Sequence, residues 1–236
     1  MTHTIKHLRQ SALYALVASM TVLSMLFVGF FLAEPAISYG QVDTGDFTIR
    51  QTITGESSFS VAPVDVTMTG SINGLTGGTS NGATQFVVLS NNASGYYVEI
   101  DFFDNGSPEA MSGDVSGSPA IRDFDGDVAG EPARGFTAST AAQFGYTVTS
   151  SSTTDTDSSF FHPAGAGTCG TAGTTQVDGC WKAPAITGFR IVDTAQAALT
   201  GATSSVQFRI VVPNAPLPVL TAETYTATAT LSLFVK

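Results

Sequence analysis

The feature that most constrains this fold is a two-residue alternation of apolar and hydroxyl side chains near the C-terminus. Between Thr224 and Val235, the residues Tyr, Ala, Leu and Val alternate with Thr and Ser. Successive side chains of a β-strand point to opposite faces of its sheet, so this pattern gives one apolar and one polar face. It predicts a half-buried antiparallel strand, because strands of parallel sheets are buried on both faces and have continuous apolar runs.

The same alternation, or a short apolar run, recurs throughout the chain beyond residue 40. The other segments that predict strands are 47–53, 64–68, 86–89, Tyr96–Phe102, 144–148, 189–192 and 206–212. Turn signals such as Asn73-Gly74 separate several of them, and no convincing helical period follows Ala33. About eight strands without crossover helices predict an all-β fold, an antiparallel immunoglobulin-like β-sandwich. We expect a single domain over residues 41–236.

Two long loops, 106–135 and 150–179, are expected to decorate that domain rather than divide it. The first loop contains three alternate aspartates, Asp123, Asp125 and Asp127. Alternate carboxylates in a loop can direct their oxygens at one hard cation, which makes a calcium site possible. The loop is not an EF-hand, because Val128 stands where that motif needs glycine. The alternative is a solvated acidic turn with nearby arginines as counter-charges, and no other cofactor is expected.

The first forty residues form a separate segment. Lys6 and Arg9 precede an uncharged run from Gln10 to Ala33, which is the order of basic and apolar regions in an export signal. Small residues near position 40 suit a cleavage site, so residues 1–40 are expected to be a removable signal peptide. The run is also close to the ~20 residues that span a bilayer, so an uncleaved N-terminal hydrophobic membrane helix is the alternative. Both interpretations place the rest of the chain outside the cytoplasmic membrane, secreted or at the cell surface.

Cysteine content and charge agree with export and narrow the partners. Cys169 and Cys180 are the only cysteines. In an oxidising compartment such a pair is expected to form a disulfide, and two thiols alone are too few ligands for a metal site. The net charge of −10, with 19 acidic and 9 basic residues, argues against binding nucleic acid. Contact with a membrane is expected only through the N-terminal segment, if it is uncleaved.

Two enzyme motifs occur without the structural context they need. Residues 78–82 satisfy G-x-S-x-G around Ser80, but a glycine-rich turn precedes them and a strand follows, so we expect a hairpin loop. His162 is the only histidine after the leader, which leaves few options for a general base. Residues 165–170 satisfy G-x-G-x-x-G but have no strand before them and no helix after them. The chain is therefore not expected to be an enzyme.

The ending AETYTATATLSLFVK resembles the closing strand of secreted bacterial β-sandwich families, among them spore coat protein U-like proteins and fimbrial subunits. The stretch from Phe59 to Ile100, which ends in SNNASGYYVEI, is similar to the N-terminal half of such surface proteins. Together the two stretches cover roughly a third of the chain, and a fold resemblance does not by itself define a function. It implies an extracellular structural or adhesive subunit and supplies no catalytic residues.

These observations predict a structural subunit that associates with copies of itself or with other surface proteins through free strand edges. Residues 46–54 are a candidate strand for donation to a neighbouring copy, and the simpler interpretation is that they open their own domain. The alternative function is an adhesin that binds glycans or a protein partner through the two long loops. Trp181 is then a candidate carbohydrate platform, or more simply a core residue beside the disulfide.

Overall fold

The structure is a computed structural model that describes residues 2–32, 47–70, 72–127, 130–150, 155–162, 168–170 and 179–236. The chain forms two compact units, residues 1–51 and residues 52–236. The first unit contains the one long helix and the second contains the strands. The chain is therefore mostly β with an N-terminal apolar helix, which confirms the fold class at that level.

The helix, α1, spans Thr2–Leu32, and its segment Gln10–Phe30 has a mean hydropathy of 2.0. At 1.5 Å per residue, these 21 residues are about 30 Å long, which is enough to cross a bilayer or to act as an export signal. Hydroxyl groups within the apolar run are satisfied inside the helix, as where Thr21 donates to the Ala18 carbonyl over 2.8 Å. The predicted cleavage positions near residue 40 lie outside the described residues.

Twelve strands and one short 3-10 helix occur in the part of residues 52–236 that the structure describes. The strands are β1 Ser57–Val61, β2 Gly78–Ser90, β3 Tyr96–Phe102, β4 Ser112–Gly113, β5 Ile121–Asp123, β6 Ala133–Arg134, β7 Ala142–Ser150, β8 Cys180–Trp181, β9 Phe189–Thr194, β10 Ala198–Val212, β11 Tyr225–Thr226 and β12 Ala229–Val235. The 3-10 helix spans Ser158–Phe160.

These strands form two larger sheets and two small ribbons. The larger sheets have the strand orders β1-β2-β10-β7-β5 and β12-β3-β9, and the ribbons pair β11 with β4 and β6 with β8. All these pairs are antiparallel except β5 with β7, which run parallel with Ile121 opposite Ala142. The prediction of purely antiparallel pairing is wrong there, because the long connection between the two strands leaves room for the crossover that parallel strands need.

Side chains of both larger sheets meet in one hydrophobic core. Along β3, buried and half-buried residues alternate from end to end, as the sequence period predicted. Phe102 of β3 packs against Tyr146 and Phe144 of β7, with ring centroids 5.5 and 6.1 Å apart. Contacts of this kind join the two sheets, because β3 and β7 belong to different ones.

Two predicted strands are absent from the described structure, and several short strands were not predicted. Residues 47–56 and 62–68 have no strand pairing, whereas β1 begins at Ser57. Phe59 of β1 packs edge-on against Phe86, with ring centroids 5.8 Å apart. The sequence period identifies a side-chain face that suits a sheet, but it does not identify the partner strand. It therefore cannot decide which of two neighbouring segments pairs. Strands of two or three residues, such as β4, β6 and β8, are too short to show any period.

Candidate functional site

An apolar cleft of about 1060 Å³ opens into the core of the 52–236 unit. Its walls include the core side chains Ile100, Phe102 and Phe144, which come from both larger sheets. Residues of two irregular segments, within 63–75 and 220–228, also line it. The volume is at the upper end of the ~300–1,000 Å³ typical of ligand pockets, so the cleft can accept several side chains or one sizeable apolar molecule.

The cleft lies beside the edge strand β12, whose residues Ala229 and Leu231 line it. In the described part of the chain, β12 pairs with β3 on one side and no strand pairs with its other side. An edge strand offers a row of backbone N–H and C=O groups to any further strand. The cleft and this edge together form a surface with apolar pockets and backbone hydrogen-bonding groups, which is the combination that binds an added β-strand.

Glu223 ties one rim of the cleft to the turn after β4. Its carboxylate accepts hydrogen bonds from the backbone N–H of Val115 at 2.8 Å, the backbone N–H of Ser116 at 3.0 Å, and the Ser116 hydroxyl. Hydrogen bonds from Ser116, and then from Val115, hold the pKa of Glu223 below its ordinary value. The rim is therefore positioned by a charged residue that the sequence did not single out.

The three loop aspartates have different surroundings. Asp123 ends β5, and its carboxylate accepts the Ala110 N–H at 3.1 Å, while the Glu109 carboxylate accepts the Asp123 N–H. Asp127 lies 3.4 Å from the ammonium of Lys182, and Asp125 is exposed. Among the described residues, no group of three or more His, Cys, Asp or Glu side chains is arranged to hold a metal. Asp123 and Asp127 already have partners on different elements. Calcium binding by the three aspartates stays a prediction.

The environment of Asp123 disfavours its charge. The pKa of Asp123 is raised to about 6, chiefly by burial and also by the negative charges of Glu109 and Asp127, against the lowering effect of the Ala110 N–H. The carboxyl of Asp123 therefore changes its charge in the weakly acid range rather than near pH 4.

Lys182 is buried, and its partners come from distant parts of the chain. Its backbone N–H donates to the Tyr146 carbonyl at 2.8 Å, and its own carbonyl accepts the Tyr146 N–H at 3.0 Å. The ammonium donates to the Gly130 carbonyl and to Asp127, and lies 4.3 Å from the centroid of the Phe189 ring. A signal was present in the sequence, since a lysine beside Trp181 in the weakly charged run GCWKAPA is unusual for a solvated surface.

The disulfide between Cys169 and Cys180 is confirmed, with Cα atoms 5.9 Å apart. It fixes the start of β8, where Trp181 is only 3% exposed and packs edge-on against Phe136 at 5.2 Å. The Arg209 guanidinium lies 4.4 Å from the centroid of the indole ring. Trp181 is therefore a core residue, and its ring is not available as a carbohydrate platform.

The two enzyme motifs do not form a catalytic arrangement in the described residues. The predicted hairpin loop at 78–82 is wrong, because these residues begin β2 and Ser80 pairs with Ile210 of β10. The Ser80 hydroxyl is buried and donates to the Thr69 carbonyl at 2.6 Å. His162 is buried just after the 3-10 helix. Residues 165–167 of the second motif lie outside the described residues.

No protein family, curated protein or solved structure matches this chain. The resemblance to surface sandwiches therefore stays a prediction, and the function has to be argued from the cleft, the edge strand and the N-terminal segment.

Proposed function

We propose that this protein is an exported, non-enzymatic structural subunit of the cell surface, with an immunoglobulin-like β-sandwich that self-associates by strand donation. In this proposal, residues 47–54 of one copy enter the apolar cleft of the next copy and pair with the free edge of its strand β12. The observation that carries the proposal is the apolar cleft of about 1060 Å³ beside an edge strand.

Two findings support export. The apolar helix α1 is compatible with a signal sequence, and the chain contains a disulfide of the kind that persists in oxidising compartments. Both agree with a secreted or surface location. In this proposal the strands, which follow the helix in the chain, lie on the exported side of the membrane.

The donor is supported by the side chains that precede β1. Phe47, Ile49 and Ile53 are 82, 84 and 82% exposed. They occupy positions of equal parity, so in an extended chain they lie on one face, while Thr48 and Arg50 lie on the other. Three large exposed apolar side chains in one row mark an interaction site, because soluble surfaces seldom leave such a row uncovered.

The strength of the contact can be approximated from the side chain that has most to gain. Ile49 is 84% exposed, so transfer into the cleft would remove nearly all of its surface from water. Burial of one isoleucine contributes about 1.5–3 kcal/mol. Loss of that contribution corresponds to roughly 10- to 150-fold weaker association.

The test compares two substitutions on opposite faces of the donor segment. We expect Ile49→Asp to abolish the oligomers formed by the exported protein, because a carboxylate cannot enter an apolar cleft without a partner. We expect the neighbouring Thr48→Asp to assemble as the wild type does, because that side chain faces away. Oligomers are measured as ladders on unheated detergent gels and as filaments or sheets by electron microscopy.

The acceptor is tested separately with Ala229→Trp, which places an indole ring at the cleft wall without touching the donor. Mixed with wild type, it should donate a strand but not accept one, and so terminate chains. A wild-type protein that is strictly monomeric at all concentrations would refute self-association. A monomer whose cleft instead binds an apolar fluorescent probe would favour the second function, a binding module.

That second function corresponds to the alternative of an adhesin or partner-binding protein. The volume of the cleft supports binding of an apolar ligand as well as binding of a strand. Binding of glycans through the two long loops remains a proposal. Trp181 cannot be the platform for a sugar, because its ring is buried. A glycan array probed with the exported protein tests it, and absence of any bound sugar would remove it.

A further inference from the structure

The pair Lys182 and Asp127 is an ion pair in an apolar surrounding. The two side chains are only 5 and 12% exposed. The Lys182 ammonium lies against the ring of Phe189, and Phe124, Phe136 and Trp181 form a hydrophobic cluster that includes Ala183. A buried ion pair costs desolvation energy that its attraction barely recovers, so a pair retained here calls for a reason.

The Lys182 ammonium and the Asp127 carboxylate are held by different parts of the chain. The backbone of Lys182 is fixed to β7 by two hydrogen bonds to Tyr146. The carboxylate of Asp127 also accepts the Ala183 N–H, at 3.4 Å, and Asp127 follows the β5 strand by four residues. The Gly130 carbonyl accepts a second ammonium proton and so orients Nζ. The Lys182 Nζ and the Asp127 Oδ2 are thus 3.4 Å apart.

We propose that Lys182 and Asp127 are a covalent modification site at which an intramolecular isopeptide bond forms between Nζ and Cγ. The step begins with transfer of one proton from the ammonium to Oδ2, which leaves a neutral amine and a neutral acid. Nζ then attacks Cγ, a second Nζ proton passes to the leaving hydroxyl, and the C–O bond breaks to release water. One ammonium and one carboxylate become one secondary amide and one water, so atoms and charge balance without an oxidant or a co-reactant.

Two physical effects favour this step in the folded protein. Groups held at contact distance react with effective concentrations of about 10⁵–10⁸ M relative to free groups. Removal of two buried charges also ends the desolvation cost of the ion pair, because an amide is neutral. The bond would tie β8 to the loop after β5, and it does not depend on strand donation.

The experiment is the intact mass of the exported full-length product, with its leader processed by the cell. We expect a mass about 18 Da below that calculated for the disulfide-bonded chain, equal to one released water. Trypsin should yield a branched peptide in which residues 123–134 are joined to a segment that remains uncut after Lys182. Lys182→Arg keeps the positive charge beside Asp127 and should show the full calculated mass.

The chain contains its own matched control pair. Lys236 forms an ion pair with Asp193 at the surface, with the two side chains 27 and 30% exposed. We expect no cross-link there, because water solvates both groups. Asp127→Ala serves where Lys182→Arg folds poorly, and it too should have the full calculated mass. A wild-type mass without the loss, together with tryptic cleavage after Lys182, would overturn the proposal.

Discussion

Replacing Gly95 with alanine is expected to weaken the junction between β3 and β9. Gly95 precedes β3, and its φ of +88° lies in the left-handed region. A Cβ added there would lie 2.0 Å from the Thr194 carbonyl oxygen and 2.7 Å from its carbonyl carbon. Thr194 ends β9 and pairs with Tyr96, so the obstacle is the backbone of a paired strand rather than the end of a flexible side chain.

The magnitude combines two costs. A residue with a Cβ in the left-handed region costs about 1–2 kcal/mol. Relief of the contact requires one strand to move, and such overpacking costs about 1–3 kcal/mol. We therefore expect Gly95→Ala to reduce the free energy of unfolding by about 2–5 kcal/mol.

The control is Gly106→Ala. Gly106 has a similar φ of +76°, but no atom lies within 4 Å of its added Cβ. It should lose only the backbone contribution of about 1–2 kcal/mol. Both variants are measured by urea unfolding of the full chain in mild detergent. Fluorescence of Trp181, the only tryptophan, reports the transition.

The difference between the two variants isolates the steric contact, because their backbone conformations are alike. If Gly95→Ala is no more destabilising than Gly106→Ala, then β9 does not approach the turn as closely as described. The pairing of Tyr96 with Thr194 would lose its support as well.

Two further predictions concern the disulfide and the loop acids. Changing both Cys169 and Cys180 to serine should lower the free energy of unfolding by about 3 kcal/mol, the chain-entropy value for a loop of this size. Urea unfolding of this variant that matches the unfolding of the reduced wild type would confirm the prediction. A urea midpoint equal to that of the oxidised wild type would contradict it. For Asp123, the folded-state pKa of about 6 lies above its ordinary value of 3.8, so the folded state binds the proton more tightly. The contribution of Asp123 to the free energy of unfolding therefore falls as the pH rises from about 4 to 6. Asp123→Asn should therefore match the wild type at pH 4 and exceed it by about 1 kcal/mol at pH 7, after allowance for solvent screening of a half-buried carboxyl. An equal difference at both pH values would show that burial of charge at Asp123 is not the cause.

The period of the sequence predicted the strands whose side chains alternate over a long run. β3, β10 and β12 lie where the alternation is clear. The predicted face is buried along β3 and largely buried along β10, whereas in β12 Leu231 and Leu233 are half-buried and Val235 is exposed. The same signal was wrong for residues 64–68, which line the cleft without joining a sheet. An apolar face on a segment indicates that the face will be covered. It does not indicate whether the segment pairs in a sheet or packs against the core without pairing.

The candidate sites depend on contacts between residues far apart in the chain, and no local pattern encodes those contacts. Asp127 follows β5 and Lys182 follows β8, 55 residues further along the chain. The pairing of β5 with β7 and the bridge between Tyr146 and Lys182 bring them together. The aspartate motif suggested a cation because Asp127 was considered with its sequence neighbours rather than with a distant lysine. Likewise, the cleft needs both sheets and two irregular segments. The disulfide could be predicted, because with only two cysteines in the chain no other pairing exists.

The exposed row in residues 47–53 and the open cleft are best explained together. Phe47, Ile49 and Ile53 would each be costly to leave in water, and the cleft is lined by apolar side chains such as Ile100 and Phe102. A chain with a low charged fraction of 12% has few residues with which to mask such surfaces. An added strand would satisfy both surfaces and the free edge of β12 at once. The proposed assembly would therefore cover apolar surface that the few charged residues of the chain cannot mask.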